Sequence, residues 1–185
     1  MSSDGDTLDS LRKFMLEQTK QKNRFSRRNR LDEIVSGLYV GDCSAATSLE
    51  CLHVLGITHV LNAAEGIDFN QIMTGHAFYE GTAIIYHGIS ADDKDTFDLQ
   101  KHFEEAANFI RDAIGTKDHP KGNAKILVHC MAGVSRSATF AAAYLMRDHK
   151  LNVREALRTM LDKRVIFPND GFFKMLAQLQ QTAWV

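Results

Sequence analysis

Cys130 closes an apolar run, Ile126-Leu-Val-His-Cys130, and five residues later Arg136 opens a helical pattern. That spacing says little by itself. With three cysteines and eleven arginines among 185 residues, chance supplies such a pair in roughly one chain of five or six. The surroundings make it specific: a strand before Cys130, Gly133 inside the loop, Ser135 and Ser137 flanking Arg136, and a helix after. A tight strand-to-helix loop aims the backbone N–H groups of Met131, Ala132, Gly133, Val134 and Ser135 at one centre. The helix N-terminus adds about half a positive charge there. Gly133 permits the turn without a Cβ penalty, and the planar fork of Arg136 fits two oxygens of a phosphate. The segment describes an anion cradle with a thiol at its base. Its field favours the nucleophilic thiolate at Cys130, whereas the bland alternative is an inert core cysteine.

Attack by sulfur on a phosphate ester requires a proton for the departing oxygen, and a carboxylic acid on a neighbouring loop is the natural donor. Ser90-Ala-Asp-Asp-Lys-Asp95 supplies Asp92, Asp93 and Asp95. Spacing does not choose among them, and those not used are solvated loop acids. Ser137 can donate a hydrogen bond to a leaving thiolate; its ordinary alternative is to satisfy backbone groups in the first helical turn. His129 reads as a residue that orients the loop through its ring N–H. His53, His59, His76 and His87 fall on different predicted elements, and Cys43 and Cys51 read as packing residues, so no metal site is expected.

These residues need a compact scaffold, and the composition provides for one. The chain has 185 residues, 44% hydrophobic and 24% charged, which suits a single domain with a tail. A formal net charge of −1 excludes a polycation built for nucleic acid. Three cysteines do not make a disulfide framework and point to a reducing compartment, the cytoplasm, with the nucleus as an additional candidate. The uncharged stretch Ala138 to Met146 is far shorter than the ~20 residues of a membrane span, and residues 1–30 lack a signal-peptide core.

Leu8, Leu11, Phe14 and Met15 predict a short amphipathic helix, followed by a segment from Lys20 to Arg30 with six basic residues and no acid. Residues 1–30 are therefore a helix and basic arm, and 31–185 the main domain. The arm reads as a solvated tail, with kinase docking, nuclear import or an acidic membrane surface as its functional alternatives. Within the domain, strands are expected over Ile34–Val40 (turning near Ser36-Gly37), Ile57–Leu61, Ala83–His87 and Ala124–His129. Helices are expected over Ser44–Leu55, ended by Gly56, over Asp98–Ile114 and from the cradle to His149. Another follows the capping box Asn152-Val-Arg-Glu155, and a last one follows Pro168-Asn-Asp-Gly171. Strands alternating with helices define an α/β layered domain.

The segment His129-Cys130-Met-Ala-Gly-Val-Ser-Arg136-Ser137 with Ala143-Tyr-Leu-Met146 resembles the signature of the cysteine-dependent dual-specificity protein phosphatases. Ile57 to Gly66, Gly88 to Asp93 and Pro168 to Phe172 are similar to the small atypical, VHR-like branch. The resemblance spans about residues 31–180, in the family's order. It implies a single-domain phosphatase fold with a mixed, roughly five-stranded sheet flanked by helices, and no metal or organic cofactor. It implies Cys130 as nucleophile, Arg136 as phosphate clamp, Asp93 as general acid and Ser137 as partner of the leaving thiolate. Asn169 matches a supporting position near the phosphate loop, and Arg164 a basic position that the family can use for a second substrate phosphate. The implied activity is hydrolysis of phosphotyrosine and phosphoserine/phosphothreonine through a phosphocysteine, on a phosphoprotein partner such as a MAP kinase.

Three alternatives bear on this. Met131, Ala132 and Val134 bring no lysine into the loop, which favours a phosphoprotein over a more highly charged lipid, nucleotide or glycan phosphate. A module that captures phosphotyrosine with weak turnover would be expected to lack Cys130, Arg136 or the acid, and none is missing. Arsenate reductases carry the pattern near their N-terminus, and rhodanese-like proteins would not bring the loop from Gly88 to Asp93.

Overall fold

The computed structural model describes residues 7–21 and 29–181. Residues 22–28, which carry most of the basic arm, and Trp184 lie outside the described residues. Five strands form one mixed sheet. They are β1 (Leu31–Val35), β2 (Leu38–Gly41), β3 (His59–Asn62), β4 (Ile85–Gly88) and β5 (Ile126–His129), in the order β1-β2-β5-β3-β4. β1 is antiparallel to β2 and the other pairings are parallel. The anticipated strand Ile34–Val40 is thus a hairpin, turning at Ser36-Gly37. Register places Gly41, His129, Asn62 and Gly88 in one row at the carboxyl edge. Four loops leave from that row, at the edge where open α/β sheets bind ligands.

Alternation along β5 sorts the core. Ile126 and Val128 join the larger cluster, and Leu127 joins a smaller one with Leu52, Val60 and Tyr86. Helices α2 (Cys43–Ala46) and α3 (Leu49–Leu55) supply Ala45, Ala46 and Leu52 to the smaller cluster. The larger cluster is built with α4 (Phe103–Ile114), α5 (Arg136–Asp148), α6 (Val153–Leu161) and α7 (Asp170–Gln181). Every residue of α5 is buried. Its Ala141-Ala142-Ala143 run lets neighbours approach closely, while Phe140 and Leu145 each contribute about 1.5–3 kcal/mol by full burial. The helix that begins at Arg136 is therefore fixed on all sides.

Helix α1 (Leu8–Gln21) forms on the predicted periodicity and buries Leu11, Phe14 and Met15 in the larger cluster. Its Phe14 ring has the guanidinium carbons of Arg154 and Arg158 each 5.4 Å from its centre, and Arg12 pairs with Asp170. The compact body therefore includes this helix. Two other elements differ from expectation. The helix anticipated over Ser44–Leu55 is two, capped by Asp42 and Ser48. Between them Thr47 Oγ1 donates to the Cys43 carbonyl, the side-chain competition that interrupts helices. The helix anticipated from Asp98 has a 3₁₀ turn, Gln100–His102, ahead of α4. The capping box at Asn152 and Glu155 is present, and Gly56 caps α3 at φ 71°.

Candidate active site

The loop from Cys130 to Ser135 leaves the buried end of β5 and enters α5. Its carbonyls are occupied from outside the loop. That of Met131 accepts from the Cys43 N–H (3.1 Å), that of Gly133 from Arg164 Nε (2.8 Å) and that of Val134 from the Phe167 N–H (2.9 Å). Arg164 Nη2 makes a longer contact, 3.5 Å, with the Ala132 carbonyl. In a planar trans peptide the carbonyl and the next N–H point in opposite directions. The N–H groups of Ala132, Gly133, Val134 and Ser135 consequently face the inside of the loop, as a receptor for phosphate oxygens requires. Gly133 has φ 65°, and a Cβ there would lie 2.5 Å from the Gly41 carbonyl oxygen and 2.6 Å from Arg164 Nη2. Only glycine fits.

Cys130 and Ser137 are both buried, with Sγ and Oγ 3.3 Å apart. The Arg136 side chain is 2% exposed, and its guanidinium donates from Nη1 to the Ala91 carbonyl (2.9 Å) and from Nη2 to the Asn70 carbonyl (2.7 Å). Its Nε is buried without a hydrogen-bond partner and lies 3.6 Å from Asp93 Oδ2. A buried N–H of that kind costs about 1–3 kcal/mol until an acceptor arrives, and a phosphate oxygen in the loop would be one.

Of the three candidate acids, Asp93 is the one brought to the cradle. Its Oδ1 accepts from Ser135 Oγ (2.7 Å) and from Asn169 Nδ2 (2.9 Å), while Oδ2 faces Arg136. Asp92 instead pairs with Lys94 at 2.7 Å. Asp95 contributes its backbone to the start of α7, so close that Gly171 could not carry a Cβ. Asn169 is brought to both the acid and the cradle. Its backbone N–H donates to Ser135 Oγ (3.3 Å) and its Oδ1 accepts from the Phe172 N–H (3.0 Å), so one residue joins acid, cradle and α7.

One expected role is corrected. Arg164, the anticipated second-phosphate contact, has a side chain only 3% exposed. Its donors are spent on Gly133, on Ala132, on the Asn29 carbonyl (2.9 Å) and on Asp32 Oδ2 (2.8 Å). It braces the cradle from behind. The His129 ring is fully buried with the Cys130 backbone as its hydrogen-bonding neighbour, the placement from which a ring N–H can orient the loop. Burial pushes its pKa down to about 4, the Cys130 backbone offsets this in part, and the Arg136 charge adds to it. His129 is therefore neutral and buried beside the nucleophile.

The residues that sequence reasoning missed act through the backbone or through distant partners. Asn70 and Ala91 offer carbonyls to Arg136, and Cys43 and Phe167 offer amides to the cradle. Asn62, buried at the end of β3, donates to the Ile72 carbonyl, Thr74 and Tyr86 and accepts from the Ala64 N–H. Only the last carries a sequence signal, a polar residue closing an apolar strand. Among the described residues no group of histidine, cysteine and carboxylate side chains is arranged to hold a metal ion.

A model of the dual specificity phosphatase catalytic domain matches residues 38–182. The chain belongs to the dual-specificity protein phosphatases. It is 44% identical over 151 residues to human dual specificity protein phosphatase 13B, covering 82% of this chain and 73% of the relative. It is also 44% identical over 153 residues to human dual specificity protein phosphatase 26, covering 83% and 68%. The structure of human tyrosine phosphatase-like serine/threonine/tyrosine-interacting protein superposes with a TM-score of 0.69 at 28% identity, covering 83% of this chain and 97% of that one. A mouse putative dual specificity phosphatase complexed with zinc tungstate gives a TM-score of 0.68 at 25% identity, covering 84% and 89%. As a family member this phosphatase acts on phosphoproteins. No described helix is long and apolar enough to cross a membrane.

Proposed function

We propose that this phosphatase hydrolyses phosphotyrosine and phosphoserine/phosphothreonine through a phosphocysteine intermediate. The carrying observation is the meeting of Cys130, Arg136 and Asp93 around one loop whose amides face inward. The Cys130 thiolate attacks phosphorus in line while protonated Asp93 gives its proton to the departing phenol or alcohol oxygen. The P–O ester bond breaks as the S–P bond forms. Asp93, now a carboxylate, then takes a proton from water, whose oxygen attacks phosphorus and releases inorganic phosphate and the thiolate. Ser137 Oγ, 3.3 Å from Sγ, stabilises that thiolate by donating a hydrogen bond. Arg136 and the loop amides hold the transferring group throughout, the electrostatic contribution that is usually largest.

The uncharged Met131, Ala132 and Val134 support a singly phosphorylated side chain over a more highly charged lipid, nucleotide or glycan phosphate. A MAP kinase is the proposed target and the cytoplasm, with the nucleus, the proposed location, where Cys130 stays reduced. The test is hydrolysis of paired phosphotyrosine and phosphothreonine peptides in chelator, with Cys130→Ser alongside. Turnover of both, lost in the variant, supports the reading; tight binding without turnover would make this chain a phosphate-capturing module instead.

A further inference from the structure

The clamp Arg136 is itself held, and the loop that helps hold it does so through its backbone. Between β3 and β4 the chain runs through Gly66 to Gln71 at the rim of the site. Ile67 and Phe69 are 84% and 93% exposed there, so packing does not fix this stretch. Backbone bonds fix it at both ends: the Ile72 N–H donates to the Ala64 carbonyl (2.8 Å), and the Glu65 N–H to the Ile89 carbonyl (3.1 Å). At its tip the Gln71 N–H donates to the Asp68 carbonyl (3.0 Å), closing a four-residue turn. Asn70 is the third residue of that turn and has φ 65°. A turn with a left-handed third residue selects glycine or asparagine there. Only Lys150 shares a positive φ among the described non-glycine residues.

That conformation has a consequence at the active site. The Asn70 carbonyl accepts from Arg136 Nη2 at 2.7 Å, and the Ala91 carbonyl from Nη1 at 2.9 Å. The two carbonyls fix the plane of the guanidinium, with Nε buried, 3.6 Å from Asp93 Oδ2 and without a hydrogen bond. They occupy one hydrogen on each terminal nitrogen, so hydrogens remain for an anion.

We infer that Asn70 is a positioning residue for catalysis: its left-handed backbone aims a carbonyl at Arg136 and so sets the plane in which the clamp meets phosphate. The inference rests on the reading of Arg136 as the phosphate clamp. The Asn70 side chain is exposed, so the carbonyl is its contribution and substitutions act through backbone preference. A β-branched residue resists φ near 65°, whereas glycine adopts it freely.

The experiment compares Asn70→Gly, Asn70→Ala and Asn70→Val in two backgrounds, wild type and Arg136→Lys. The readouts are kcat and KM on a phosphotyrosine peptide and the inhibition constant of vanadate, an oxyanion probe. Asn70→Val is expected to lower kcat/KM by roughly 10- to 100-fold, the cost of a clamp displaced by about 1 Å, and to weaken vanadate in parallel. Asn70→Ala should fall between, and Asn70→Gly should stay within about twofold of wild type. In the Arg136→Lys background Asn70→Val should cost less than about twofold, because the partner is gone. Wild-type kcat/KM and vanadate inhibition in a folded Asn70→Val protein would overturn the inference. So would an undiminished loss in the Arg136→Lys background. If Asn70→Val does not fold, Asn70→Ala against Asn70→Gly decides by the same criteria. Failure of the clamp reading is distinguishable, since Arg136→Lys alone would then leave vanadate inhibition unchanged.

Discussion

Two loops meet at Arg136 and could hardly be built more differently. The cradle from Cys130 to Ser135 announces its chemistry in residue types: a thiol, a glycine and a serine, then an arginine, at fixed spacing. The loop from Ala63 to Thr74 announces none. Its Ile67 and Phe69 are apolar and exposed, and what it offers the site is the carbonyl of Asn70. In the proposed mechanism the cradle reacts with substrate, and in the inference drawn from Asn70 the second loop sets where the clamp stands. Such positioning resides in backbone direction, set by bonds between distant segments such as Asn62 to Ile72 and Glu65 to Ile89. A site can thus be complete in its catalytic side chains and still depend on residues with no chemical signature.

Variants can break that comparison from either side, and the cradle should break hardest. Cys130→Ser removes the thiolate nucleophile, and peptide hydrolysis should fall to background while vanadate or phosphate still binds. Asp93→Asn should lower kcat by about 10²–10⁴ for poor leaving groups, with a much smaller effect on activated aryl phosphates that need no proton. If Asp92→Asn caused that loss instead, the placement of Asp93 at the cradle would have misled. Arg136→Lys keeps the charge but not the fork, and should cost about 10²–10³ in kcat/KM.

Effects from behind the cradle should be smaller and should register as stability. Arg164→Met leaves Asp32 without its partner and the Gly133 carbonyl without its donor. Breaking a buried ion pair costs about 3 kcal/mol, read as a lower urea midpoint. A free second-phosphate contact would instead show unchanged stability and a higher KM for doubly phosphorylated peptides alone. The effect of His129 depends on pH and reaches its full size only in acid. Its pKa is lowered to about 4 in the fold against an ordinary 6.5, so between those values the unfolded chain binds a proton that the folded chain refuses. Stability is therefore full above pH 6.5 and declines as pH falls toward 4, by up to about 3 kcal/mol from this residue. His59 and His149, also lowered by burial, act in the same direction. Urea midpoints at pH 7.5 and 5 should differ less in His129→Gln than in wild type.

Much of this was legible before any coordinates. Periodicity located α1, and the capping box located the start of α6, because both signals are local. The cradle was legible for the same reason, its side chains lying within eight positions, from Cys130 to Ser137. The choice among Asp92, Asp93 and Asp95 was not available from spacing, because it is made by Ser135 and Asn169 from other elements. Arg164 was legible as a basic residue near the loop. That it faces the loop's carbonyls from behind depends on Asp32 and Asn29, more than 130 positions away. The break at Thr47-Ser48 was written locally in two residues that compete for backbone bonds, yet the apolar pattern of the flanking turns obscured it.

The covalent step is the central claim, and pre-steady-state kinetics of Ser137→Ala tests it most directly. Removing the hydroxyl beside Sγ should slow breakdown of the phosphocysteine more than its formation. Mixing this variant with an activated aryl phosphate should release a burst of phenol equal to the enzyme concentration. Acid quenching during the slow phase should leave one phosphate on the peptide containing Cys130. The same burst should be absent from Cys130→Ser. Turnover without a burst in Ser137→Ala, together with hydrolysis retained by Cys130→Ser, would contradict the phosphocysteine mechanism.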